Sequence, residues 1–258
     1  SKFQQVVKLV IDKYRFYSIR KADLYIFETD VLAQRAIKLF NFPKEHTYVV
    51  KMAINSLIEK CRDKVNKNLR YTDKINKKFK ILYLAGAHPN KRQHLLIELV
   101  KNIIAHSYKN IIFITTMSES KYTNSILNKF IEENLENYIL NIGPIDNDKC
   151  AKLISECDAM INIALLESFS NNFVEAWAMR KPLFVTDADW SKSCCGNAAI
   201  YLNMKNPLKS AEKIINICSN SKSRNIMIKE GVKQLENYLT TEEKTRQYIN
   251  IINKYRKV

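Results

Sequence analysis

Two glutamates, Glu167 and Glu175, lie eight positions apart in the stretch ESFSNNFVEAWA, between the apolar runs AMINIALL and KPLFVTD. A carboxylate next to a buried strand is costly unless it has a partner. One suitable partner is a sugar or ribose ring, since two adjacent hydroxyls can donate to the same carboxylate. The spacing fits a solvated loop with two ordinary surface glutamates equally well, so the surrounding residues must decide between the two.

Three small polar residues, Ser170, Asn171 and Asn172, lie between the glutamates at the predicted start of a helix. The free backbone N–H groups of a helix start, together with the helix dipole, favour a phosphate. Glu175 lies one turn into the same helix. The loop could therefore hold a hydroxylated ring at Glu167, an anion at the helix start and a second ring at Glu175, which together describe a nucleotide-diphosphate sugar.

The elements around this loop alternate regularly from residue 79 to residue 206. Apolar strands are predicted at FKILYLAG, NIIFITT, YILNIG, AMINIAL, PLFVTD and NAAIYL, with intervening helices over 91–106, 119–136, 147–157 and 171–180. Such a pattern predicts an α/β fold with a doubly wound, Rossmann-like parallel sheet of about six strands. Ligands of such sheets bind at the carboxyl ends of the strands, where both glutamates fall. Further helices are predicted over 207–219, 222–237 and 241–256.

The first 54 residues hold too few elements for an independent α/β domain. They are predicted to contain a helix over 1–20, strands at ADLYIFE and TYVVKMAI, and a helix from a capping Asp30 to about Phe40. We therefore expect the tail of a first domain, whose beginning lies outside this chain. The predicted organisation is the tail of a first domain over 1–54, a basic linker over 55–78, a doubly wound domain over 79–238 and a final helix within 239–258.

The chain is strongly basic, with 42 Lys and Arg against 26 Asp and Glu and a net charge of +16. Such an excess predicts an anionic partner, and the lack of a stacking or groove-reading module argues against nucleic acid. The basic helix over 1–20 could lie on an anionic membrane, although its stripe of Phe3, Val6, Val10 and Tyr14 is more typical of a domain core.

The sequence gives two indications about the compartment. Its longest apolar run is shorter than the 18 residues of a spanning helix. Its six cysteines show no pair with metal-ligand spacing, which is typical of reduced cytosolic thiols.

The glutamate loop resembles the Glu-x7-Glu signature of retaining glycosyltransferases with the GT-B fold, especially the large bacterial family 4 that builds surface polysaccharides. ILYLAGAHPNKRQHLLIEL is similar to the opening strand, phosphate loop and lysine of that family. NYILNIGPIDNDKCAKLISECDAM and the residues up to LFVTD follow its later pattern, and ADLYIFETD and TYVVKMAIN resemble the last strands of its first domain. The resemblance covers about residues 22–205. It implies that 1–54 are the trailing part of an acceptor domain, that 79–238 bind the nucleotide sugar, and that the final helix within 239–258 packs back on the first domain.

The resemblance implies a role for individual residues. Lys91 would neutralise the donor diphosphate and Glu167 would contact hydroxyls of the donor sugar, which makes these two the expected catalytic residues. Glu175 would bind the ribose hydroxyls. The amides of Ser170, Asn171 and Asn172 would hold the phosphates or the sugar, and the segment from Gly143 to Ile145 would pack along the base.

One position departs from the family pattern. The family usually places an arginine five residues before the lysine, as a second cation for the diphosphate, and here that position is Gly86. Arg92 is the candidate substitute, although on a helix it would point about 100° away from Lys91. Gly86 and Arg92 both belong to the residues that are expected to bind the donor.

The implied reaction is a metal-independent hexosyl transfer that needs no cofactor. A hexose or N-acetylhexosamine would move from a UDP- or GDP-linked donor to a glycan or lipid-linked acceptor, in the cytoplasm at the inner face of the membrane. The nearest match to a metal-binding DxD motif, Asp187-Ala188-Asp189, follows a strand, so we expect a capping or loop role there. Two alternatives stay open: a nucleotide-sugar epimerase of the same fold, and a non-catalytic, membrane-associated partner that binds a nucleotide sugar.

Overall fold

The computed structural model describes residues 2–54, 58, 71–72, 75 and 77–256. The chain divides into two compact units. One comprises Ser1–Lys51 with Arg246–Val258, and the other comprises Met52–Thr245. The linker predicted over 55–78 lies mostly outside the described residues.

The first unit is built on two short parallel strands. Tyr25 of the first strand is opposite Thr47 of the second, and the buried Tyr25 ring stacks on Phe42 at 4.1 Å. The elements are α1 (Lys2–Arg20), β1 (Tyr25–Phe27), α2 (Asp30–Phe40) and β2 (Thr47–Val49).

The cap of α2 is Thr29, so the prediction of Asp30 was wrong. Thr29 has extended backbone angles and its side chain accepts a hydrogen bond from the Leu32 amide. Asp30 is already the first helical residue, where its charge still favours the helix start.

The apolar stripe of α1 is exposed, whereas the sequence favoured a buried one. Phe3 is 76% and Tyr14 is 72% exposed. Within the first unit, α1 contacts its neighbours near its C-terminal end, where Phe16 packs edge-on against Phe40 at 5.1 Å. Over the described residues, α1 and the other helices lack the length and apolar character needed to cross a bilayer.

The second unit contains a six-stranded sheet, in which all strands are parallel and follow the order β5-β4-β3-β6-β7-β8. The prediction of a doubly wound parallel sheet is therefore confirmed. The order reverses between the two central strands, β3 and β6, and ligands bind at such a switch point. The strands are β3 (Phe79–Tyr83), β4 (Ile111–Thr115), β5 (Ile139–Asn141), β6 (Ala159–Asn162), β7 (Leu183–Thr186) and β8 (Ile200–Leu202).

Helices cover both faces of this sheet, because successive side chains of a strand enter opposite layers. Leu82 packs with Phe173 and Trp177 on one face, while Ile81 and Tyr83 pack on the other. The helices are α3 (Leu96–Ala105), α4 (Lys121–Glu132), α5 (Asn147–Glu156), α6 (Asn171–Ala178), α7 (Asp189–Cys195), α8 (Pro207–Ser219), α9 (Ser221–Leu235) and α10 (Thr241–Arg256).

Two features of this unit differ from the predictions. The helix expected over 91–106 begins at Leu96, because single 3₁₀ turns at Pro89–Lys91 and Gln93–Leu95 precede it, joined by Arg92 in the left-handed conformation. Helix α7 was not predicted, since its seven residues are too few for a clear helical periodicity.

The last helix, α10, begins in the second unit, and from Arg246 onward it belongs to the first. Near its end the Tyr255 hydroxyl donates to Asp23 at 3.2 Å, and the Tyr255 ring lies edge-on to His46.

Gly231 in α9 allows close contact with α6. A Cβ atom at this position would lie 2.6 Å from Cδ1 of Trp177. The indole is fixed, because its Nε1 donates to the Ala198 carbonyl at 2.9 Å. We expect Gly231→Ala to lower the free energy of unfolding by about 1–3 kcal/mol, measured by urea denaturation. Gly86→Ala is the control, since a Cβ there would meet nothing within 4 Å; equal losses in both variants would contradict the prediction.

Candidate active site

A cavity of about 330 Å³ lies at the carboxyl ends of β3, β4 and β5. Its walls come from the segments after β3, β4 and β5 and from the first turns of α6. Gly86, Ile145, Asn171, Asn172 and Glu175 all line it, so five residues predicted from the sequence meet at one cavity.

Glu175 is a buried carboxylate in the wall of this cavity, with 7% of its surface exposed. Asn172 Nδ2 donates to it at 3.3 Å. Burial raises the pKa of Glu175, and the Asn172 hydrogen bond opposes that effect. A carboxylate that has lost its water and retains acceptor capacity is suited to receive the hydroxyls of a ligand.

Lys91 and Glu167 form an ion pair in which the ammonium donates to Glu167 Oε1. They follow β3 and β6, the two strands at the switch point. The side chain of Lys91 is 28% exposed and that of Glu167 is 8% exposed. Since an ammonium group has three donors, two remain for a second anion. The two expected catalytic residues are thus brought together.

The start of α6 is organised for an anion. Ser170 is the N-cap residue, but its hydroxyl makes no capping bond and instead accepts from Asn162 Nδ2 at 2.9 Å. The first-turn amides of Asn171 and Asn172 have no acceptor within the helix. Ser170 therefore holds the loop through its bond to Asn162, and Asn171 and Asn172 line the cavity at the helix start.

The turn after β5 brings Pro144 and Ile145 to the cavity wall. Gly143 makes that turn possible, because its φ of 77° is in the left-handed region that side chains rarely adopt. Gly143 does not line the cavity itself.

Gly86 lines the cavity, and its carbonyl accepts from Gln93 Nε2 at 2.8 Å. A Cβ atom on Gly86 would meet nothing within 4 Å. The cavity therefore has space for a larger side chain at this position.

Arg92 does not lie on a helix, so the predicted angle between it and Lys91 does not apply. Its Nε donates to the Ile163 carbonyl at 2.8 Å, and its Nη2 donates to the Ala164 carbonyl at 3.3 Å and to Thr186 Oγ1 at 2.9 Å. These acceptors lie just beyond β6 and at the end of β7. Three guanidinium donors are thus used by two backbone carbonyls and one hydroxyl of the protein.

Sequence reasoning missed several residues of the site. Thr116 and Ser118 line the cavity after β4, and Asn147 and Cys150 line it from α5. Burial raises the pKa of Cys150 to about 11, so this thiol is un-ionised. Thr116 could have been predicted, because it follows β4 and ligands bind at the carboxyl ends of parallel strands. Cys150 carries no distinguishing signal in the sequence.

Of the two aspartates in the DxD-like stretch, Asp187 has the expected loop role, whereas the N-cap residue of α7 is Ala188 and not an aspartate. Asp187 pairs with Lys192 at 2.6 Å, and Asp189 begins α7 and accepts from the Trp190 amide at 2.8 Å.

Solved structures resemble this chain over nearly its whole length. A glycosyltransferase from Rickettsia africae aligns with a TM-score of 0.74 and 17% identity, over 95% of this chain and 66% of that one. A variant of S. aureus TarM, in complex with fondaparinux, α-GlcNAc-glycerol and UDP, aligns with a TM-score of 0.74 and 17% identity. That alignment covers 94% of this chain and 46% of TarM. Anabaena HepE, in complex with UDP and glucose, aligns with a TM-score of 0.71 and 18% identity. That alignment covers 90% of this chain and 64% of HepE. The chain thus spans about half to two thirds of these proteins.

At these identities the likeness establishes the fold, a GT-B half. No curated protein sequence matches the chain. The family model described as glycosyl transferases group 1 matches residues 65–234, which is more than half of the chain. The chain therefore belongs to the family of group 1 glycosyl transferases.

Proposed function

We propose that the protein is a retaining glycosyltransferase of the bacterial family 4 type, and that it acts without a metal. It moves a hexose or N-acetylhexosamine from a nucleotide diphosphate to a glycan or lipid-linked acceptor. The observation that carries this proposal is the ion pair of Lys91 and Glu167 at the switch point of the sheet, with the cavity walled by Glu175 at the same sheet edge.

Each group has a role in the transfer. Glu175 accepts from the ribose hydroxyls, and the first amides of α6 hold the phosphates. The bond between the anomeric carbon and the diphosphate oxygen breaks, a bond to the acceptor oxygen forms, and the proton of the acceptor hydroxyl passes to the leaving diphosphate. Lys91 stabilises the charge that grows on the leaving diphosphate. Glu167 holds a sugar hydroxyl while it anchors the lysine.

The nucleotide base and the acceptor are inferred from the similar structures and from the first unit. The TarM variant and HepE are both in complex with UDP, which favours a UDP-linked donor here. We infer that the second unit holds the donor, and that residues 1–54 with the end of α10 belong to an acceptor-binding domain. The exposed apolar and basic residues of α1 support peripheral contact with an anionic membrane.

Five described cysteines are buried free thiols, which fits the cytoplasmic face of that membrane.

Calorimetry of the full chain against UDP- and GDP-linked hexoses and N-acetylhexosamines tests donor binding. We expect saturable binding that EDTA does not change. Transfer to candidate acceptors, with the product anomer assigned by NMR, then tests the reaction and its stereochemistry. An epimerase would change the donor sugar without an acceptor, and a non-catalytic partner would bind without turnover. A folded sample that binds no nucleotide sugar would refute the proposal.

A further inference from the structure

Three consecutive residues, Asn90, Lys91 and Arg92, join the loop after β3 to the loop after β6. We propose that Arg92 is a positioning residue for the transfer reaction, in that it fixes the backbone just before Glu167 so that Glu167 meets Lys91. This inference rests on the proposed function of the same site. It replaces the expectation that Arg92 is a second cation for the diphosphate.

The hydrogen bonds of Arg92 converge on the end of β6. Its guanidinium donates to the Ile163 and Ala164 carbonyls, which lie four and three residues before Glu167 respectively. Thr186 at the end of β7 completes the arrangement, since its hydroxyl accepts from Arg92 and donates to the Ala164 carbonyl at 2.8 Å. The planar guanidinium can satisfy several acceptors at fixed angles, which a lysine cannot do.

The residues on either side of Arg92 make the same connection. The Leu165 amide donates to the Asn90 carbonyl at 2.8 Å, and Asn90 Nδ2 donates to the Leu166 carbonyl at 2.9 Å. The buried Tyr83 hydroxyl donates to the Lys91 carbonyl. The backbone around Lys91 is therefore held, through residues on both sides of Lys91, to the four residues that precede Glu167.

The backbone of Arg92 is itself unusual. Its φ of 54° and ψ of 34° are left-handed, a conformation that disfavours side chains other than glycine. Such strain persists where the surrounding contacts enforce it. Arg92 does not line the cavity, and three of its five N–H donors bond to the Ile163 and Ala164 carbonyls and to the Thr186 hydroxyl. These facts favour a role toward the backbone over a role toward the diphosphate.

The test compares Arg92→Lys, Arg92→Gln and Arg92→Gly with the control Arg224→Gln. Arg224 is matched, because its guanidinium also donates to two backbone carbonyls, those of Ile217 and Cys218, at 2.9 Å each. We expect all three Arg92 variants to lower kcat about tenfold or more, with the Kd for UDP within about threefold of wild type. Arg224→Gln keeps the wild-type kcat.

Hydrogen exchange gives a readout that is independent of turnover. The Leu165 amide should exchange faster in the three Arg92 variants, while amides in α8 and α9 keep their protection. Arg92→Gly removes the left-handed strain, so its kcat should fall without a loss of global stability.

Two results would overturn the inference. One is a Kd for UDP that rises tenfold or more in Arg92→Gln but not in Arg92→Lys, because that pattern would show a charge acting on the diphosphate. The other is unchanged exchange at Leu165 in all three variants. A wild-type protein without transferase activity would refute the proposed function instead, and the exchange result would still decide the role of Arg92 in the loop.

Discussion

Lys91→Met is expected to lower the rate of sugar transfer by about 10²–10³-fold. Methionine keeps much of the length of the lysine side chain but removes the charge that faces the departing diphosphate. The substitution also leaves Glu167, whose side chain is 8% exposed, without its ionic partner. Kinetics with a saturating donor should show the loss mainly in kcat, because the charge on the leaving group grows in the transition state.

Lys101→Met is the matched control for this prediction. Lys101 is also an ion-paired lysine, bound to Glu133 at 2.9 Å, but it lies on α3 and pairs with a residue beyond α4. We expect it to keep the wild-type rate. Lys91→Arg restores the charge with a different shape and should recover part of kcat. Transfer by Lys91→Met within about threefold of wild type would remove the leaving-group role.

Glu175→Gln should weaken nucleotide binding about 10–100-fold, since hydrogen bonds to a charged acceptor are stronger than those to an amide. The same substitution should make the protein more stable at neutral pH. Burial raises the pKa of Glu175, so the folded state disfavours the ionised form that predominates in the unfolded chain. The site would thus hold a carboxylate at a cost in stability that ligand binding offsets.

The pH dependence follows from the direction of that shift. Ionised Glu175 lowers the free energy of unfolding. This destabilisation is absent below the pKa of the unfolded state, near 4.5, and grows as the pH rises through the higher pKa of the folded state. The stability advantage of Glu175→Gln should therefore shrink as pH falls toward 4.5. Donor affinity of the wild type should fall over the same window, because the protonated carboxyl loses acceptor strength, while that of the variant stays flat.

Glu156→Gln is the control for Glu175. Glu156 is also partly buried, but its Oε2 accepts from the Tyr71 amide at 2.8 Å and the Thr72 amide at 3.1 Å, outside the cavity. We expect this variant to lose stability and to keep nucleotide affinity. Denaturation and calorimetry from pH 4.5 to 8 measure both effects. Equal nucleotide affinity in Glu175→Gln and wild type would contradict the role of the carboxylate.

The sheet was predictable because its strands are continuous apolar runs, and the position of the glutamates followed from the carboxyl-end rule. The contacts of Asn90 and Arg92 could not be predicted, since their partners lie more than 70 positions away along the chain. The late start of α3 was hidden because the left-handed turn at Arg92 interrupts an otherwise helical pattern. The exposure of α1 could not be read from a stripe that suits either a core or a surface.

The strand order has a consequence for how the site comes into existence during folding. Lys91 and Glu167 are 76 positions apart in the chain, yet they follow strands that are direct neighbours in the sheet. Their meeting depends on a distant pairing, and the loop-closure entropy of such pairings makes them slow to form. A nascent chain released before β6 has joined β3 would carry an incomplete site, so a nucleotide sugar that needs both residues would select the finished sheet and stabilise it by mass action.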